Sequence, residues 1–511
     1  MFSPLFLDFL DQKESLKQFY SLYPSKDNFK KQLEVKDESF SSKSREVLVS
    51  SLLKQYDGLE VSEITKKNIE KLNDGNTFTI TTGHQLNIFT GPLYFIYKIV
   101  TVVNACKELQ DTYPDYNFIP VYWMASEDHD FEEISYINLG GKKYSWETDQ
   151  TGAVGRFDPS SLKKVLDEMP GSNDIFKEAY LEQATLASAV RYYVNKIFGE
   201  DGLIVIDGDD HDLKSLFSHI IEKELVNQVS FNKVKKDTEK LEGLGYKAQI
   251  VPREINLFYL DKDLRERLVE ENDTYKVLNS DLSFSEPEIL DLVKAEPEKF
   301  SPNVILRPIY QEVVLPNIAY TGGPAEVIYW LQLKGIFDEF KIPFPILLPR
   351  NFVLYIDHVV GRKIGKTGIQ IKEIFEPLNQ QVDRYLREFS DNDLELSDER
   401  KSIDEIYNGI FSKASKVDET LESLIKAETQ KIFNSLQKIE KKMLKAEKRH
   451  HDDHIRQIES INKSLFPGGG PQERSLNFLN FYLEDAEFIS NIKASLSPFD
   501  IKYHIILDGS K

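Results

Sequence analysis

Thr81-Thr82-Gly83-His84-Gln85-Leu86-Asn87-Ile88-Phe89-Thr90-Gly91-Pro92 (TTGHQLNIFTGP) reads as a strand that stops and a helix that starts. Upstream, Thr77 to Thr82 (TFTITT) is β-branched and aromatic, as a buried strand is. Downstream, Leu93 to Leu109 is apolar at helical spacing, with Pro92 suited to a helix start. A glycine at such a turn lets backbone approach a ligand, and the helix N-terminus that follows offers unpaired N–H groups to an anion. His84 and Gln85 add side-chain donors. The stretch is neither a GxGxxG fingerprint nor a phosphate loop ending in Gly-Lys-Ser or Gly-Lys-Thr.

Three more apolar runs end in polar clusters. Asn117 to Ala125 (NFIPVYWMA) leads into Ser126-Glu127-Asp128-His129-Asp130. Gly202 to Asp207 (GLIVID) leads into Gly208-Asp209-Asp210-His211, and Phe344 to Leu348 (FPILL) into Pro349-Arg350-Asn351. Short apolar runs separated by helices predict a doubly wound parallel sheet in an α/β fold. In such sheets ligands bind outside the carboxyl ends of the strands, where all four clusters fall.

The core is expected over residues 1–375, with helices to about residue 72 and inserts at about 140–200 and 245–310. The second insert opens with YKAQIVPREINLFYLD, read as two short strands around a Pro-Arg turn. Residues 376–470 form a separate helical segment. Apolar residues at Ile403, Ile406, Ile410, Ala414, Val417, Leu421 and Leu424 step by three and four, and Ile432, Leu436, Ile439, Met443 and Ala446 repeat the pattern. This is a coiled coil, read as a hairpin turning near Val417-Asp418 with Asp418 as N-cap. Residues 471–511 return to the core and end in the strand YHIILDG.

Composition narrows the function classes. The 511 residues are 41% hydrophobic and 29% charged, an ordinary globular balance. The net charge of −20 argues against nucleic acid or an anionic membrane as partner. Cys106 is the one cysteine, which excludes an internal disulfide. No secretory signal is read at the N-terminus and no run suits a bilayer, so the cytoplasm is expected.

Glu127, Asp128, His129 and Asp130 crowd carboxylates around an imidazole at a strand mouth. They suit a substrate ammonium or general-base work on an attacking amine, or, in the alternative, the ligands of a metal-dependent hydrolase. Tyr320, Gly322, Gly323, Glu326 and Trp330 surround a second turn. Arg307 and Arg350 are candidates to clamp carboxylates or phosphates. A third reading is a non-catalytic coiled-coil assembly protein. It is disfavoured because polar residues collect at the strand ends.

Four segments, TGHQLNIFTGPLYFIYKI, IPVYWMASEDHDFEEI, SPNVILRPIYQEVVLPNIAYTGGPAEVIYW and SLFPGGGPQERSLNF, resemble the bacillithiol synthase family, the cysteine-adding enzymes of bacillithiol biosynthesis. The resemblance runs in order from Gly83 to the C-terminus. It implies a Rossmann-like core with connecting inserts, a protruding coiled coil, a homodimer, and the joining of L-cysteine to glucosaminyl-malate. The core is similar to class I aminoacyl-tRNA synthetases, an analogy that sets Gly83, His84, Gln85 and Gly91 on the nucleotide side. Amide formation from a free carboxylate is uphill in water, so ATP with Mg2+ is the expected cofactor, acting through an acyl-adenylate or acyl-phosphate. No protein-held metal is expected. Arg307 or Arg350 then faces the malate carboxylates.

Overall fold

The computed structural model describes residues 2–171 and 174–508. Two compact units divide the chain. The first runs to Val353 and takes back Glu473–His504; the second comprises Leu354–Gln472 and the chain from Ile505.

The first unit is built on five parallel strands: β1 (Thr77–His84), β2 (Asn117–Met124), β3 (Ile204–Asp207), β4 (Asn317–Gly322) and β5 (Ile346–Pro349). Their order across the sheet is β5-β4-β1-β2-β3. Every residue of β1, β4 and β5 is buried, because helices cover both faces; these strands therefore read as near-continuous apolar or β-branched runs. Connectivity changes direction between β1 and β4. That is the switch point at which doubly wound sheets open a crevice. Register pairs Gly83 with Trp123 and Thr82 with Thr321, so the ends of three strands lie level there.

Helix α1 (Tyr94–Thr112) follows β1 and packs Val102, Ala105, Cys106 and Leu109 against Phe78, Ile80, Ile318 and Ile346. Cys106 is thus a core residue. Burial holds its thiol well above the usual range, far from a reactive thiolate. The helix opens where the sequence suggests, with Leu93 as its N-cap. A short 3-10 turn, Ile88–Thr90, intervenes, and Gly91 turns the chain with φ +66°. A Cβ on Gly91 would lie 2.4 Å from the Asn87 Cβ, so only glycine fits.

Helices α2 (His211–Asn227), α3 (Arg307–Val314) and α4 (Pro324–Trp330) frame the other strand ends. The first insert holds a hairpin, Tyr136–Leu139 with Lys142–Ser145, and helices including Asp174–Glu182 and Leu186–Phe198. The second is a five-stranded antiparallel sheet ordered Phe300–Pro302, Leu257–Asp261, Leu264–Glu271, Thr274–Val277, Ser283–Phe284. The strand expected before Pro252 does not form. Its N–H groups at Gln249 and Ile250 go to the Gln332 side chain, and Pro252 has none to give.

In the second unit, α5 (Ser397–Ser415) and α6 (Leu421–Glu447) make the expected hairpin. Thr420 occupies the N-cap position, and Asp418 accepts from the Thr420 N–H at 2.8 Å. The chain breaks again near His450 and His451 before the helix Asp452–Leu465, where His454 stacks on Tyr385.

Candidate functional site at the sheet switch point

A cavity of about 280 Å3 opens between the carboxyl ends of β1 and β4. Gly83, His84 and Gln85 form one wall and the Gly323–Glu326 turn another. Tyr94 and Lys98 reach in from α1, Arg307 from α3, Arg350 from the end of β5, and Arg474 from the mouth. No bulky group stands at Gly83. A Cβ there would lie 3.4 Å from the Tyr320 hydroxyl and 3.5 Å from Arg307 Nη1.

Lys98 is the electrostatic centre of this wall. It is 2% exposed, and its ammonium donates to the Gly83 carbonyl and to Glu326, both at 2.8 Å. Glu326 also accepts from the Tyr320 hydroxyl at 2.9 Å and from the Gly323 N–H at 2.7 Å, capping α4. Burial alone would raise the Glu326 carboxyl. Lys98 and the donors around it outweigh that and hold it below its ordinary range. Burial lowers the Lys98 ammonium, with Glu326 opposing.

Three nitrogens of this wall are buried with no hydrogen bond of 3.5 Å or less, His84 Nε2, Arg307 Nη2 and Arg350 Nε, although the Tyr329 hydroxyl stands beside the Arg307 guanidinium. Arg307 Nη1 is held by Gln311 at 3.0 Å, and its guanidinium lies over the Tyr320 ring. Arg350 is gripped by Glu473 through two bonds of 2.9 and 2.6 Å, so its fork is engaged and only Nε remains. His84 packs against Tyr94 and Phe95. Burial, reinforced by Lys98 and Arg350, holds its imidazole well below the usual range and therefore neutral at pH 7.

The acidic loop after β2 divides its work. Asp128 accepts from Gln85 Nε2 at 2.9 Å and from the His129 N–H at 2.8 Å, with Arg265 at 3.8 Å. Burial pushes its carboxyl up, but Gln85, Arg265 and the backbone donors bring it below the ordinary range, so it is ionised. Glu127 is buried in an ion pair with Lys214; burial raises it, with Lys214 opposing. His129 is exposed and takes a hydrogen bond from Arg265 on Nδ1. Asp130 caps the short helix Phe131–Ile134 at the surface. Asp128 and His129 thus share Arg265, while Asp130 is turned to its own helix. Among the described residues, no three histidine, cysteine, aspartate or glutamate side chains converge as a metal site.

Family models match both parts of the chain. Residues 2–351 match the N-terminal Rossmann-like domain of bacillithiol biosynthesis BshC, and residues 353–507 its C-terminal coiled-coil domain. The chain belongs to the BshC family. A BshC protein of Flavobacterium psychrophilum is 45% identical over 517 residues, covering 99% of this chain and 97% of that protein. One from Cytophaga hutchinsonii is 41% identical over 501 residues, covering 97% and 95%, and one from Chlorobaculum tepidum 30% over 507 residues, covering 91% and 89%. All three are named "Putative cysteine ligase BshC". The fold is the Rossmann-like α/β core and helical coiled coil that the family model describes.

In this BshC-family chain the first cavity gathers Gly83, His84, Gln85, Arg307, Tyr320, Gly323, Glu326 and Arg350 from the sequence reading. Others stand apart. Gly91 lies away from it, its carbonyl bound by Asn477 at 2.6 Å. Gly322 gives its carbonyl to the Arg350 N–H. Trp330 is fully buried and stacks behind Tyr320 at 4.4 Å, leaving Tyr329 to face the cavity. The sequence reading passed over Lys98, Tyr94, Tyr329, Glu473 and Arg474. Lys98 left a signal, since it is the only charged residue between Asn87 and Cys106. A charge within a buried helix needs a partner. Nothing local pointed to Glu473.

Proposed function

We propose that the protein is an ATP-dependent cysteine ligase, forming an amide between L-cysteine and glucosaminyl-malate in bacillithiol biosynthesis. The observation that carries this reading is the set of partnerless nitrogens on one buried wall at the switch point. Buried donors left unfilled cost free energy, so an anion that accepts from Arg307 and Arg350 is favoured there. The relatives' names supply the reaction class.

Glycine at position 83, the cationic wall and the position outside the strand ends fit the phosphates of a nucleotide. Bound there, ATP supplies the activation of a carboxyl group that amide formation in water requires. Mg2+ would accompany the nucleotide, held chiefly by its phosphates and water. Arg307 and Arg350 Nε bind the anion, and Lys98 sets the position of Glu326 and the Gly83 carbonyl. Asp128, kept ionised and oriented by Gln85, accepts the proton that the amine loses. The reading includes a homodimer. Its support is the coiled coil, where α5 buries no residue and leaves Ile406 and Ile410 exposed.

An end-point assay tests the function. Purified protein is given glucosaminyl-malate, L-cysteine and Mg-ATP, each omitted in turn, and products are read by mass spectrometry. A thiol at the condensed mass is expected only in the complete mixture, with AMP or ADP beside it naming the activation route. No condensed product from folded protein would overturn the reading.

A further inference from the structure

A second cavity, of about 450 Å3, adjoins the first and shares Trp123, Ala125 and Arg307 with it. It lies between the end of β2 and the antiparallel insert. Its charges are uneven. Asp128 stands on the β2 side with Arg265 at 3.8 Å, and Arg265 leans over the Phe258 ring. Arg267 follows on the same strand, Leu264–Glu271. Residues two apart share a face of a strand, about 7 Å from one another. Arg267 therefore shares the face of Arg265, one step along the strand and paired in register with Phe258. Arg253 joins them from the irregular segment before Leu257.

The guanidinium groups of Arg253 and Arg267 make no hydrogen bond or ion pair among the described residues. In a chain of net charge −20, a cavity lined by four arginines against two carboxylates, Glu127 and Asp128, with exposed Arg253 and half-buried Arg267 unengaged, is a local reversal of sign. Guanidinium binds carboxylates bidentately.

We infer that the second cavity seats a substrate carrying an amine at one end and carboxylates at the other, with the carboxylates on Arg267 and Arg253 and the amine toward Asp128. This rests on the ligase reading, which offers two substrates. Glucosaminyl-malate has an amine on its sugar and two carboxylates on its malate. L-cysteine has one carboxylate and is far smaller than the cavity. The assignment is therefore glucosaminyl-malate, and its specificity lies in arginines supplied by the insert rather than by the sheet.

The test uses full-length Arg267→Gln, Arg253→Gln and Arg267→Lys, with circular dichroism to check the fold. Arg267→Gln is expected to raise KM for glucosaminyl-malate by about ten-fold, with KM for L-cysteine and ATP changed by less than about two-fold. Arg267→Lys should recover part of the loss, because charge remains while bidentate geometry is lost. L-malate, titrated calorimetrically at millimolar concentration without the other substrates, should bind wild type and bind Arg267→Gln more weakly. A rise confined to KM for cysteine or ATP, or malate binding that is absent or indifferent to both arginines, overturns the inference. Because malate binding is read without turnover, arginine-dependent binding by a protein with no ligase activity sustains the subsite while the ligase reading falls. Ligase activity with arginine-independent malate binding does the reverse.

Discussion

Lys98 places an ammonium in the core of an α/β protein, and its energetics follow from its single acidic partner. Replacement by methionine strands Glu326 in the cavity wall without a cation. Breaking a buried pair from one side costs about 3–5 kcal/mol. Lys98→Met should lower the urea midpoint accordingly, and Glu326→Gln in the same chain should restore part of it. A loss below about 1 kcal/mol would show that water already satisfies Glu326. His84 makes a pH prediction. Its folded imidazole titrates well below the unfolded one, so as pH falls below about 6.5 the unfolded chain binds the extra proton and stability drops. The slope from this group is at most about 1.4 kcal/mol per pH unit. His84→Gln should flatten the curve between neutral and mildly acidic pH, measured by denaturant midpoints across that range. Asp128→Asn keeps the shape but removes the base. Turnover should fall about a hundred-fold or more while the melting temperature barely moves. Full activity in a folded Asp128→Asn protein would remove Asp128 from the mechanism.

At the scale of elements, the strand ends matter most. Gly208 follows β3 directly, and its carbonyl accepts from the Tyr310 hydroxyl at 2.7 Å. A Cβ there would come within 2.6 Å of Trp123. Trp123 is buried and cannot retreat without disturbing both cavities. Gly208→Ala should cost about 1–3 kcal/mol by overpacking, read from thermal or urea unfolding. The same element scale explains what was legible. Thr77–His84 and Asn117–Met124 were plain in sequence because strands buried on both faces need uninterrupted apolar or β-branched residues. The segment around Pro252 was not. It read as a short strand before a Pro-Arg turn, but its N–H groups found Gln332, 83 and 82 residues away. The polar turns were legible as places and less so as roles. Asp130 and Asp128 are two residues apart, yet one caps a helix and the other meets Gln85.

For the whole molecule, the apolar stripe of the helical hairpin carries a prediction about assembly. Ile406 is 60% exposed and Leu424 53% exposed, positions that a partner copy would cover. Wild-type protein should sediment as a dimer, and Ile406→Lys with Leu424→Lys should shift it toward monomer. A monomeric wild type at micromolar concentration would overturn the homodimer. Sequence alone carried the layers of this protein: continuous apolar or β-branched runs for the core strands, three-four steps for the hairpin, and glycine or proline where several of them end. It also placed the polar clusters at strand ends, since the same residues that stop a strand are those that can meet a ligand. Tertiary structure alone decided which of these residues face one another. Arg350 and Glu473 are 123 positions apart and Lys98 and Glu326 are 228 apart. Such pairs exist only because helices distant in sequence, Gln472–Ser475 with Glu473 and α1 with Lys98, pack around the same strand ends, and burial there makes an unpaired charge too costly to leave.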